Sequence, residues 1–555
     1  MPKSGSLTSY FAALAFVASA FWSGAGAAQE PVGTLTGIVT DATGAPLEGA
    51  FVQMKNPEHR LYFMVITRTQ GRYTNNRLPP GKYVVQAIGG EHQSAPSAII
   101  EVAAGKSASV DLSLTVARAP TLPPAWPGRQ PGQRGLGAQP VSLAPGEGKA
   151  IIEAKCVACH DAQRIARSRG NQARWRAVLH SMKLYAQGST FAQALSEDEE
   201  RVVLAYLAAN YAPAAGAAKA KPDPFSRLPR TLLPPAARDY IVVEYELPNP
   251  RSEPHEVAVD LNGNGWITQR TGGRLGKLDR KTLTYTEYEP PAGPSAHVRL
   301  NAIRTGKQGE LWMVDGGPNR RFLSFDPKAE RFEVYELPPT KSGNASGNSM
   351  RVHPNNTVWL NSIGNNEVIR LDPATRQFTF FDVPAGVQRN KNATPYGIAV
   401  GGDNNLWIVE NSVDQIARID PVSGRFEEFP LGVEDPVARK IGADWDGNLW
   451  VGLHGAGSLL RIDYRTLERK EFRAPSEDAG VYLADADMTN RVIWTSLHHV
   501  DKLARLDPAT GVWTEFPLMY AETDVRRIEV DQSNPNRIWY SGVLSGRIGY
   551  IEVLR

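Results

Sequence analysis

Apolar and polar positions alternate from Thr34 to Asp41, the two-residue period of a strand with one buried face. A turn at Ala42-Thr43-Gly44 and a second run from Pro46 to Val52 follow. Gly71-Arg72-Tyr73 and Leu78 to Val85 repeat the signal, so residues 31–117 are expected to form a small β-sandwich. Residues 118–146 carry Pro120, Pro123, Pro124, Pro127, Pro131, Pro140 and Pro145 without apolar periodicity, which predicts an extended linker. The period then changes. Trp175, Val178, Leu179 and Met182 fall at helical spacing, and Ser196-Glu197-Asp198-Glu199 is a capping box ahead of a stripe of Val202, Val203, Tyr206 and Leu207. Residues 147–213 are therefore expected to be a small all-α domain, with a second linker over 214–238.

From 239 to 555 the pattern repeats. Trp266, Trp312, Trp359, Trp407, Trp450, Trp494 and Trp539 recur every 43–48 residues, each in a short strand behind a polar turn. A second strand of the type Ile416 to Asp420 and a third such as Phe426 to Leu431 follow. Short strands at this period predict a β-propeller, here of seven blades. The last unit lacks its third strand, and Val242 to Pro248 supplies one that would close the ring and remove an open edge.

Length and composition narrow the function. A chain of 555 residues holds several cores. A formal charge of +3 gives no reason to expect nucleic acid as partner. Lys3, the apolar run Tyr10 to Trp22 and the small residues Ala25 to Ala28 read as a signal peptide over 1–28. A periplasmic protein is expected, with secreted or cell-surface placement as the alternative and no membrane span after cleavage.

The two cysteines sit in Cys156-Val157-Ala158-Cys159-His160. This spacing offers two thiols to one haem and a histidine to its iron. One covalent haem c is expected, with Met182 or His180 as sixth ligand. On that reading the chain transfers electrons, with a redox protein or a small-molecule donor as partner, and the propeller docks substrate. A haem-coupled dehydrogenase, a gas sensor and a lyase are the competing readings.

Three family resemblances refine this. Residues 31–117 resemble the carboxypeptidase regulatory-like domain, which implies an immunoglobulin-like packing module. Trp175, Val178, Met182, Gly188, Leu195 and Tyr206-Leu207 resemble small bacterial class I cytochromes c. The repeats Pro254 to Asp260 with Trp266 to Gln269, and Pro395 to Val400 with Trp407 to Glu410, resemble the streptogramin (virginiamycin B) lyase family. That resemblance implies a seven-bladed propeller that opens a cyclic depsipeptide by magnesium-assisted elimination at one channel end. Eleven residues before the first five tryptophans stand His255, Asn301, Asn348, Tyr396 and Arg439, and three after the first four stand Gln269, Asp315, Ser362 and Glu410. His454, His498, Arg526 and Arg527 lie at nearby offsets. His255, Glu410, Tyr396 and Arg439 are the catalytic candidates, and the resemblance implies a magnesium ion; the polar cluster of His255, Asn301, Tyr396, Glu410, Arg439, His454 and Arg526 at one channel end is expected to bind an anionic or hydroxylated small molecule. Gln269 stands where that family can carry a glutamate opposite such a histidine.

Overall fold

The computed structural model describes residues 32–89, 92–117, 143–156, 165, 172, 175, 176, 178, 179, 182, 193–212 and 232–554, except 339–346, 348, 389–391, 434–435, 477–478 and 521–522. The signal peptide, most of both linkers, Asn348, Cys159, His160 and His180 lie outside the described residues.

Two sheets face each other in the N-terminal module. Gly33–Asp41 pairs with Arg72–Leu78 on one side and with Ser107–Ser109 and Leu112–Leu114 on the other. The second sheet holds Gly81–Gly89, Phe51–Asn56 and Leu61–Ile66. Leu35, Val39, Val52, Met54, Phe63, Tyr73, Tyr83 and Val85 fill the space between them, inward residues at the two-residue period of the strands.

Six four-stranded antiparallel sheets follow in chain order, beginning with Pro254–Val259, Leu300–Thr305, Met350–Val352, Pro395–Val400, Ala438–Ala443 and Asp485–Asp487 as innermost strands of blades one to six. The seventh blade is Val525–Val530, Arg537–Gly542, Arg547–Val553 and Tyr240–Glu246. Neighbouring innermost strands pack in sequence, and blade one packs on blade seven, so the ring is closed. The closing strand pairs Tyr240 with Val553 through Glu246 with Arg547, as the incomplete last repeat implied.

That strand has a second partner. Ile241 to Tyr245 also pairs antiparallel with Val65 to Leu61, so one sheet runs from the sandwich into blade seven. The arrangement covers the outer edge that the closing strand would otherwise expose.

Charges from the innermost strands meet at the axis. Glu256 of blade one accepts from Arg304 Nη1 at 2.7 Å and pairs with Lys440 of blade five. Arg527 reaches Glu529 at 2.9 Å and Asp485 at 3.9 Å. The Glu256 pairs are buried and join blade one to blades two and five.

The expected all-α haem domain needs correction. Among the described residues the chain is nearly all β with three α-helices, Glu147–Lys155, Glu197–Asn210 and Pro384–Gln388, and no haem-binding domain is evident. The capping box is present, with Ser196 N donating to Glu199 at 2.8 Å and Glu199 N to Ser196 at 3.2 Å. The first two helices close on Leu143, Ile152, Trp175, Leu179, Val203, Tyr206, Leu207 and Tyr211. Cys156 caps the first helix, while Met182, expected to reach iron, is 38% exposed. No described helix is long and apolar enough to cross a membrane.

Candidate functional site

Each blade's first strand begins, and its second ends, at the same end of the channel, because the two run antiparallel: Pro395 pairs with Glu410 and Ala438 with Leu453. Residues just before the first strand and just after the second therefore share one rim. On blades four to seven this rim gathers aromatic, basic and imidazole side chains.

Tyr396 and Tyr482 face each other with their hydroxyls 2.5 Å apart. The Arg439 guanidinium lies 5.1 Å from the Tyr396 ring centroid and 6.0 Å from that of Tyr482. Burial, then the neighbouring Tyr396, pushes the Tyr482 hydroxyl well above its ordinary range, so Tyr482 stays protonated at neutral pH. Arg526 holds Asp524 through Nε at 2.9 Å and Nη2 at 2.8 Å, the two-pronged geometry that fits guanidinium to carboxylate. Burial would raise the Asp524 carboxyl, but Arg526 and His498 outweigh it and hold it well below the carboxylate range.

Three histidines complete the rim. His454 follows the second strand of blade five; His498 and His499 follow that of blade six. His454 Nε2 lies 3.3 Å from His498 Nδ1, and His498 Nε2 meets Asp524 Oδ1. One ring nitrogen from each of the three falls within 4.8 Å of the others, and all three are buried. The His454 ring stands edge-on to His499 at 4.4 Å and to Tyr482 at 5.7 Å between centroids.

His255 opens the first strand of blade one and is buried. Neither of its ring nitrogens has a hydrogen-bond partner among the described residues. Burial, then the charges of Arg270 and Arg526, holds it well below its ordinary range, so it is a neutral imidazole at pH 7. Gln269, opposite the strand start, donates to Tyr285 at 2.9 Å and to Glu287 at 2.8 Å. Glu410 is buried at the end of its strand.

The rim thus joins Tyr396 and Arg439 with His454 and Arg526, and the charge of Arg526 reaches His255. Asp315, at the equivalent strand end of blade two, is engaged by Arg321 at 3.2 Å and Asn319 at 3.0 Å. Tyr482, His499 and Asp524 were not singled out by the repeat pattern. Tyr482 stands twelve residues before Trp494 instead of eleven, and the pair His498-His499 was the available signal for the imidazole cluster. The donors gathered within ligation distance are imidazoles, whereas magnesium takes oxygen, so this set does not fit magnesium.

Comparison with known proteins agrees with this architecture. Residues 294–554 match the virginiamycin B lyase family and residues 34–115 the carboxypeptidase regulatory-like domain. The virginiamycin B lyase of Staphylococcus aureus is 22% identical, with a TM-score of 0.50 over 56% of this chain and 99% of that one. A catalytically inactive variant of it, solved with quinupristin, superposes equally. A streptogramin B lyase structure is 24% identical at a TM-score of 0.50, covering 57% of this chain and 99% of that one. These likenesses establish the propeller fold. A probable peptidyl-alpha-hydroxyglycine alpha-amidating lyase of Caenorhabditis elegans is 31% identical over 80 residues, 14% of this chain, and the match spans 23% of that relative.

The reading of the chain as an electron-transferring cytochrome is overturned by these findings. The matched families are those of the sandwich and the propeller, and the described residues are almost wholly theirs. The lyase alternative is the better supported of the two.

Proposed function

We propose that this chain is an exported, periplasmic carbon–oxygen lyase that acts at the rim pocket of its propeller on a cyclic ester-containing peptide. The chemistry is elimination. A base removes the proton from the carbon next to a carbonyl, the ester C–O bond on the adjacent carbon breaks, and the carboxylate departs, leaving a carbon–carbon double bond.

The supporting observation is His255. A buried imidazole with neither nitrogen paired costs free energy that a purely structural residue would not impose. Its neutral state makes it the base. Arg439 and Arg526 supply positive charge for the enolate and the departing carboxylate, and the paired hydroxyls of Tyr396 and Tyr482 supply donors. The fold likeness to a lyase solved with quinupristin favours a depsipeptide over other esters.

His255→Ala is expected to lower kcat by about 10²–10⁴ with little change in KM, the range for loss of a general base. Steady-state kinetics on a streptogramin B depsipeptide read this out, and a wild-type rate in that variant would remove His255 from the mechanism. Covalent haem at Cys156, Cys159 and His160 stays a separate proposal that rests on the motif spacing alone. Pigment that survives acid–acetone extraction would support it, and colourless protein from a maturation-competent periplasm would end it.

A further inference from the structure

We infer that His454, His498 and His499 form a binding site for a divalent transition-metal ion of the zinc class.

The spacing is that of a coordination shell. Two nitrogens bound at about 2.0–2.1 Å around a tetrahedral ion stand about 3.3 Å apart. His454 Nε2 and His498 Nδ1 are separated by 3.3 Å, and one ring nitrogen from each of the three histidines lies within 4.8 Å of the others.

The protonation pattern is also right. His498 directs Nε2 at the Asp524 carboxylate, which fixes Nε2–H as donor and leaves the Nδ1 lone pair facing His454. A ligand histidine held from behind by a carboxylate is the usual outer-shell arrangement of such sites. Arg526 in turn grips that carboxylate with two hydrogen bonds. The backbone supports the third ligand: a Cβ at Gly480 would stand 2.7 Å from the His499 ring, and Gly480 has φ +61°, so glycine lets the ring lie where it does. His498 N and His499 N donate to Gly480 O at 3.1 Å and Ala479 O at 3.2 Å, which fixes both residues.

The donor set selects the metal. Three neutral imidazoles suit zinc, cobalt, nickel or copper and disfavour the oxygen-seeking magnesium and calcium. Three protein ligands leave a fourth position, the arrangement of catalytic more than of structural sites. The site itself stands on this geometry. Its use in polarising a substrate carbonyl rests on the lyase reading above.

The test is calorimetric titration of chelator-treated, refolding-checked full-length protein with zinc chloride, with cobalt(II) spectra as a second probe. One zinc per chain is expected, with intense tetrahedral cobalt absorption and no competition from millimolar magnesium. Asp524→Asn should weaken zinc by about 10–100-fold while keeping the stoichiometry. His454→Ala with His499→Ala should abolish binding while unfolding cooperatively like wild type. Absence of zinc binding by the folded wild type, or unchanged binding in the double variant, overturns the site. If that double variant unfolds, octahedral oxygen-type cobalt spectra from the wild type overturn it equally. Zinc binding without any elimination activity would sink the lyase reading alone, and elimination by protein that binds no zinc would sink the metal site alone.

Discussion

Glu256 shows how much one side chain holds at the axis. Burial would raise its carboxyl, but Lys440, then Arg304, outweigh that and hold it at about 2. An ordinary unfolded glutamate titrates near about 4.3. The folded value is the lower one, so the stabilisation is complete above the unfolded value and is lost as pH falls from there toward about 2. Glu256→Ala leaves Lys440 and Arg304 buried without their anion and is expected to cost about 3–5 kcal/mol. Urea unfolding of wild type and variant between pH 7 and pH 3 checks both statements: the difference between them should shrink on acidification, and a constant difference would contradict the assignment. Residues of this kind were only partly legible in the sequence. His255, Tyr396 and Arg439 stand at a fixed offset from their tryptophans and could be aligned. Tyr482 and Asp524 could not, because the turns of blades six and seven are longer: Asp485 pairs with Trp494 and Glu529 with Trp539, whereas Ala399 pairs with the nearer Trp407, and the count shifts.

At the scale of the element, each blade turn is held by its own polar residues. Asp260 accepts from the backbone of Asn262 at 2.8 Å and Asn264 at 3.0 Å and from the Trp266 indole at 2.8 Å. Asp444 does the same for Asn448 and Trp450 at 2.9 Å. In blades one to five the turn ahead of the tryptophan supplies an acceptor for its indole N–H, whereas Trp494 and Trp539 have none among the described residues. Asp260→Ala is expected to cost about 1–3 kcal/mol by leaving the Trp266 N–H and the turn unpaired, measured as a lower urea midpoint at unchanged m-value. These turns, and the Ser196–Glu199 cap, were readable in the sequence because the interacting residues lie within six positions of one another. The pairing of Leu61–Ile66 with Tyr240–Glu246 was not: both read as apolar strands, but nothing local marks partners that far apart.

For the whole molecule, that pairing makes the sandwich a cap on the propeller's last blade. Arg547 packs over the Tyr62 ring at 3.9 Å and the Tyr520 ring at 4.0 Å, and Tyr62 donates to Glu246 at 2.7 Å, so the contact is more than a strand edge. Removing residues 1–238 is expected to leave a closed ring with an open edge at Tyr240–Glu246, and light scattering during size-exclusion chromatography should show assembly that the full chain lacks. The cysteine motif drew the sequence reading toward redox chemistry because it is short and local. The propeller rim is assembled from five blades and becomes visible only once they close. The elimination proposed for this rim breaks a C–O bond. The most direct measurement is the mass of the product formed from a streptogramin B depsipeptide. The account predicts a ring-opened product of unchanged mass with a new conjugated double bond; a product heavier by one water would show hydrolysis and contradict it, as would an intact ring.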